Sequence, residues 1–175
     1  MNIRKKTQFM TMTALLTAIA ILIPIIMPFK IVIPPASYTL GSHIPIFIAM
    51  FLSPLMAAFV IIASSLGFLM AGYPPVIVLR AFSHIVFGTL GALYLKKFPE
   101  TLDKPKVSWI FNFVLGVVHA IAEVIACIIF YATSGTNVEN MFYVLFVLVG
   151  FGTIVHSMVD YTLALAVYKV LRKRR

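Results

Sequence analysis

The length of the apolar runs constrains this chain more than any other feature. Phe9 to Met27, Leu55 to Ala71, Val76 to Leu95, Val107 to Thr133 and Met141 to Val170 each hold no more than two charged side chains. About 20 apolar residues suffice to cross a hydrocarbon core as a helix. Lipid offers no partner to an exposed peptide group, so only helices and closed barrels span it. Barrel strands alternate polar and apolar residues over about ten positions, whereas these runs are continuous. The sequence therefore predicts an all-α membrane protein, a single integral membrane domain over residues 1–175. Composition agrees: 62% of the residues are hydrophobic and 11% charged, against about 25% charged in a soluble domain.

Proline, glycine and polar residues divide the chain into six predicted helices, at about 9–27, 42–52, 55–71, 76–95, 107–133 and 141–170. The second is short: at about 1.5 Å per residue it covers roughly half of a 30 Å core. Before it, Phe29 to Gly41 is apolar but broken by Pro34 and Pro35. That pair cannot continue a helix and biases Ile33 towards an extended conformation. The basic start and first apolar run resemble a secretory signal, but the run exceeds the about 7–15 residues of a signal core. A retained first helix is expected.

The net charge of +9 is concentrated in three clusters: Arg4, Lys5 and Lys6; Lys96, Lys97, Lys104 and Lys106; Lys169, Arg172, Lys173, Arg174 and Arg175. An excess of Lys and Arg marks cytoplasmic loops. With six crossings and an internal N-terminus all three clusters fall inside, leaving Lys30, Glu139 and the polar turn Ser134 to Asn140 outside. Five crossings would put one cluster on the wrong face, so both termini are expected in the cytoplasm. Trp109, Tyr94 and Tyr168 would then mark the inner interface, and Tyr73, Tyr131 and Tyr143 the outer one. No nucleic-acid partner is expected, because no soluble module remains to present a basic face. The single cysteine, Cys127, permits no internal disulfide. Small residues four apart, at Ala14 and Ala18, Gly88 and Ala92, and Gly116 and Ala120, allow close helix approach.

Ionisable groups within a span are expensive and point to function. Arg80, Glu123, Asp160 and all four histidines, His43, His84, His119 and His156, fall within the predicted helices. Arg80 and His84 share a face one turn apart near the outer end of the fourth helix. His43 opens the second helix, and Glu123 lies in the outer half of the fifth with His119 a turn deeper. These five are expected to line one outward-facing cavity, lidded by Phe29 to Gly41. A plainer alternative, compatible with it, is an internal Arg80–Glu123 pair with histidines bonded to backbone carbonyls.

His156 and Asp160 are placed towards the inner half of the sixth helix, Asp160 as an acceptor for a neighbouring helix. The pairs His119–Glu123 and His156–Asp160 have the i, i+4 spacing of metal ligands. The H-E-x-x-H pattern is absent, however, and no metal or other cofactor is expected. Neither G-x-x-x-x-G-K-[ST] nor G-x-S-x-G occurs, so the chain is not expected to be an enzyme or to power transport by itself.

Size, six-helix layout and loop lengths, together with the A-x-x-x-A of Ala14 and Ala18 in TALLTAIA, resemble the substrate-binding subunits (S components) of energy-coupling factor (ECF) vitamin transporters. The resemblance spans nearly the whole chain. The stretches KIVIPPASYTLGSHIPIFIAMFLSP and VIVLRAFSHIVFG are most similar to the niacin-specific members. The resemblance implies a vitamin-capturing protein of the bacterial plasma membrane, whose partners are a coupling transmembrane subunit and two ATP-binding ATPase subunits. Ala14 and Ala18 would pack on the coupling subunit, the 29–41 loop would gate the pocket, and the whole subunit would topple to carry the pocket inward.

For nicotinate, Arg80 would take the carboxylate through its planar fork. His84, His43 or Tyr38 would bond the ring nitrogen, and Phe82 or another aromatic would stack. Glu123 and His119 complete the candidate site, but Glu123 would repel a carboxylate unless Arg80 or a histidine neutralises it. It would suit an aminopyrimidine or pyridoxine-like ligand better. Two other readings stay open: a proton-coupled secondary transporter using the two His–carboxylate pairs, although residues 1–95 and 96–175 show no repeat, and a small membrane metalloenzyme.

Overall fold

The computed structural model describes residues 3–33, 36–135 and 141–173. Pro34, Pro35, Glu139, Arg174, Arg175 and most of the expected 134–140 turn lie outside the described residues. Helix α1 covers Ile3–Ile26. It begins before the apolar run because Arg4, Lys5 and Lys6 are good helix formers whose long stems reach along the interface. Strands β1 (Lys30–Ile33) and β2 (Ala36–Thr39) follow as an antiparallel hairpin, Lys30 facing Thr39 and Ile33 facing Ala36. This hairpin is a departure from the all-helical expectation. Ile31, Val32 and Ile33 are β-branched and favour extended backbone, and pairing satisfies peptide groups that an open loop would leave bare.

Gly41, at φ +82°, turns the chain into α2 (Ile44–Leu52). Extended Ser53 separates α2 from α3 (Pro54–Met70), and its hydroxyl accepts from the Met56 N–H at 3.0 Å. Proline in the first helical position costs no hydrogen bond, and α4 (Pro75–Lys97) and α5 (Pro105–Thr133) start the same way. A 3₁₀ turn at Pro99–Leu102 joins them. A π-helical stretch, Tyr143–Phe151, leads into α6 (Gly152–Lys173).

Four helices among the described residues are long and apolar enough to cross a membrane: Ile3–Ile26, Pro75–Lys97, Pro105–Thr133 and Tyr143–Lys173. Helix α3 is shorter, about 25 Å at the α-helical rise. Helix α2 is buried from Pro45 to Phe51 and packs against α1, α3, α4 and α6. Gly88, Ala92, Gly116 and Ala120 are buried at helix contacts as expected, while Ala14 and Ala18 are exposed. Large apolar side chains such as Leu93, Ile110, Phe113, Ile121 and Phe146 cover the outside, which suits a lipid solvent. At one end, Arg172 donates to both oxygens of Asp103, at 2.6 and 3.2 Å. That bond holds the Asp103 carboxyl below the usual range and brings the α4–α5 turn beside the end of α6.

The interior has two apolar clusters. The larger gathers Phe47, Phe51, Phe87, Phe111, Leu115 and Tyr161. The smaller, against the hairpin, gathers Ala36, Val76, Val124, Cys127, Leu145 and Val149.

Candidate functional site

Three helices pass through both clusters, and each carries its polar residues between them. On α4, Arg80 and His84 lie between Val76 and Phe87; on α5, His119 and Glu123 lie between Leu115 and Val124. On α6, Thr153, His156 and Asp160 lie between Val149 and Tyr161. A spacing of four keeps each pair on one helix face, so the three helices together build a polar layer.

Glu123 is one node of that layer. Arg80 Nη2 donates to its Oε2 at 2.8 Å and Thr153 Oγ1 to the same oxygen at 2.5 Å. His84 Nε2 lies 3.1 Å from Oε1 and His119 Nε2 3.5 Å. A buried charge survives when it is both paired and hydrogen-bonded, and Glu123 is both.

Asp160, fully buried, is the second node. It accepts from the backbone N–H groups of Gly41 at 2.7 Å and His43 at 2.9 Å. His43 Nδ1 lies at 3.1 Å and His156 Nε2 at 3.4 Å. A helix start leaves backbone donors without partners, and His43 gives α2 no side-chain cap. The α6 carboxylate supplies that negative end from across the bundle. Asp160 therefore accepts from a neighbouring helix, as the sequence reading expects, with backbone N–H groups as donors. His43 joins the nodes: its ring centroid is 4.8 Å from that of His84 and 4.9 Å from those of His119 and His156.

Above this layer lies a cavity of about 70 Å³, lined in part by Tyr38, His43, Arg80, His84, Glu123 and His156. Five of the six expected binding residues thus meet in one place. His119 is the exception and corrects the expectation: it sits wholly buried behind Glu123, stacked on Phe87 at 4.2 Å, with Nδ1 3.1 Å from the Ser157 hydroxyl. One turn below Glu123 the bundle is already closed by the α2 and α4 phenylalanines.

His156, which the sequence reading puts with Asp160 towards the inner half of its helix, also lines the cavity. Phe82 does not stack there; it lies on the outward face of α4 beside Ile121 and Ile125 of α5. The cavity's aromatic walls are Tyr38, Phe68 and Tyr73. The Arg80–Glu123 pair of the plainer alternative is present, but the histidines bond carboxylates and hydroxyls rather than backbone carbonyls. Thr153 is invisible to sequence reasoning, because a lone threonine in an apolar run carries no signal.

Tyr38 fixes the hairpin over the cavity. Its hydroxyl donates to the Leu148 carbonyl in the π-helical stretch, and its ring lies 5.3 Å from that of His156. Gly152 leaves the space: a Cβ there would stand 2.5 Å from the Tyr38 hydroxyl. Ala14 and Ala18 lie across α1 from its buried Leu16 and Ala20.

Fold and cavity together define a multi-pass membrane protein that holds a small polar cavity among its helices. The chain belongs to a family of transporter S components: residues 4–173 match the family described as ECF-type riboflavin transporter, S component. It is 43% identical over 171 residues to the niacin transporter NiaX of Lactococcus lactis subsp. cremoris, which covers 97% of this chain and 77% of that protein. No solved structure matches. Membership places the chain among membrane transport components rather than enzymes.

Proposed function

We propose that this S component captures nicotinate in the cavity beneath the hairpin. The observation that carries the ligand assignment is the 43% identity, over nearly the whole chain, to a niacin transporter. The cavity's chemistry supports it. An arginine, histidines and tyrosines line it, offering a counter-charge, hydrogen bonds and ring faces suited to a small aromatic carboxylate.

Arg80 is the counter-charge for the carboxylate. Glu123 is already engaged by Arg80, His84 and Thr153, which damps its repulsion of an anion. Tyr38, His43, His84 and His156 offer hydrogen bonds to the pyridine nitrogen, and Tyr38, Phe68 and Tyr73 offer ring faces. His119 holds Glu123 and His84 from behind.

The same reading gives six crossings with both termini in the cytoplasm, the short α2 completing the second crossing below the hairpin, which acts as the outer gate. Release inside requires a coupling transmembrane subunit and two ATPase subunits, with Ala14 and Ala18 as the contact on α1.

Calorimetric titration of the detergent-purified chain with nicotinate, nicotinamide, pyridoxine, hydroxymethylpyrimidine and riboflavin tests the ligand. Nicotinate should bind, and nicotinamide, which lacks the charge, should bind at least tenfold more weakly. The double variant Arg80→Met/Glu123→Gln removes both charges together and keeps an acceptor at position 123 for its buried neighbours, so it should fold and lose that preference. Binding of pyridoxine or the pyrimidine with none of nicotinate would refute the ligand and keep the capture role. Silence with all five would refute both.

A further inference from the structure

His43, His84 and His119 come from three different helices or helix starts, yet one ring nitrogen of each lies within 4.8 Å of the others. Their rings stand edge to face, with centroids 4.8, 4.9 and 4.7 Å apart and interplanar angles of 68°, 76° and 86°. Each imidazole is anchored through one nitrogen: His43 Nδ1 on Asp160, His84 Nε2 on Glu123, His119 Nδ1 on Ser157, all at 3.1 Å. Metal-binding histidines are oriented in this way, the remote N–H given to a carboxylate or another acceptor. The opposite nitrogen of His119, Nε2, is buried with only a long 3.5 Å approach to Glu123 Oε1 and no hydrogen bond of good geometry. Buried polar atoms are rarely left so.

Charge points the same way. Within the polar layer the formally charged side chains are Arg80, Glu123 and Asp160, one positive against two negative when the imidazoles are neutral. A bound carboxylate would add a second uncompensated negative charge to a buried site, which is costly. A dication would balance both.

We propose that His43, His84 and His119 bind a divalent first-row transition ion of the zinc type, with an open coordination position facing the cavity. Neutral imidazole suits such ions, and three protein ligands with an open fourth position is an arrangement zinc adopts. Zinc–nitrogen bonds of about 2.0–2.1 Å put the ligand nitrogens roughly 3.4 Å apart in a tetrahedral site, so the rings close inward by about an ångström on loading. Glu123, Asp160 and Ser157 are the positioning residues. The metal site rests on the histidine geometry, while the charge argument rests on the nicotinate reading. Where the reading as a nicotinate carrier also holds, the pyridine nitrogen or carboxylate occupies the open position.

The test uses the full chain without an oligohistidine tag, stripped with chelator, in detergent. Zinc titration should give one ion per chain. His84→Ala and His119→Ala should each weaken binding at least tenfold while melting cooperatively, and His119→Ser should do the same. Cobalt loading should give the intense visible absorption of a four-coordinate site. Nicotinate should then shift that spectrum and tighten zinc binding by the factor by which zinc tightens nicotinate.

No stoichiometric zinc uptake by folded, stripped protein would overturn the proposal, as would zinc binding indifferent to both alanine variants. Equal nicotinate affinity with and without zinc, accompanied by proton uptake, would overturn the open position facing the ligand, because a proton would then supply the missing charge. One ion per chain with no nicotinate binding under any condition would uphold the metal site and refute the niacin reading instead.

Discussion

Glu123 and Asp160 are both buried carboxylates, yet their partners differ in kind. Glu123 is held by side chains, so its surroundings can rearrange around a ligand. Asp160 holds backbone, the N–H groups of Gly41 and His43 where α2 begins, and therefore sets where the hairpin and α2 sit. Asp160→Ala would leave both donors buried without partners, at about 1–3 kcal/mol each. For a chain of this size that lowers the melting temperature by about 4 °C or more. Asp160→Asn keeps one acceptor and should fall between the alanine variant and the parent in a thermal melt. A melt unchanged by Asp160→Ala would mean that water, not Asp160, satisfies the start of α2. In the sequence Asp160 is visible only as an expensive residue in an apolar run. Its real partners are some 117 positions away and are peptide groups, which no side-chain pattern announces.

At the scale of elements, the hairpin and the π-helical stretch belong together. The wider turns of a π-helix disturb the regular carbonyl ladder, and the Leu148 carbonyl there receives the Tyr38 hydroxyl, with Gly152 leaving the gap it enters. Tyr38→Phe removes one hydrogen bond worth about 1 kcal/mol, so ligand release measured by stopped flow should quicken about fivefold. Gly152→Ala should have at least the same effect, because its Cβ and the Tyr38 hydroxyl cannot share the space. Unchanged release in both variants would show that the gate does not rest on this contact. The breaks between helices were legible at Ser53, Pro54, Pro74 and Pro75, whereas α1 starts at Ile3, before its apolar run. The hairpin and the π-helical stretch were not legible. Four-residue strands beside a proline pair look like any broken loop, and an apolar run has the same composition whether it winds as α or π.

For the whole molecule, α1 is the helix least held by its own bundle. Of its 24 residues only Leu16 and Ala20 are buried, while Leu15, Ile19 and Leu22 are exposed. Hydrophobicity cannot tell lipid contact from partner contact, since acyl chains are as apolar as leucine; close approach between helices in a bilayer depends instead on small side chains. Ala14 and Ala18 lie one turn apart on the exposed side and form a shallow strip among bulkier neighbours, the surface a second helix can approach. The cavity draws on α1 only at Ala20 and Pro24, on its other side and nearer the hairpin. Capture and coupling should therefore separate under mutation. Ala14→Trp/Ala18→Trp should fold with a melting temperature close to the parent, because both positions are exposed. It should bind ligand with unchanged affinity and fail to co-purify with the coupling subunit. If ligand binding falls together with association, the strip is part of the site's own support. If association survives two tryptophans, the partner docks elsewhere on the molecule.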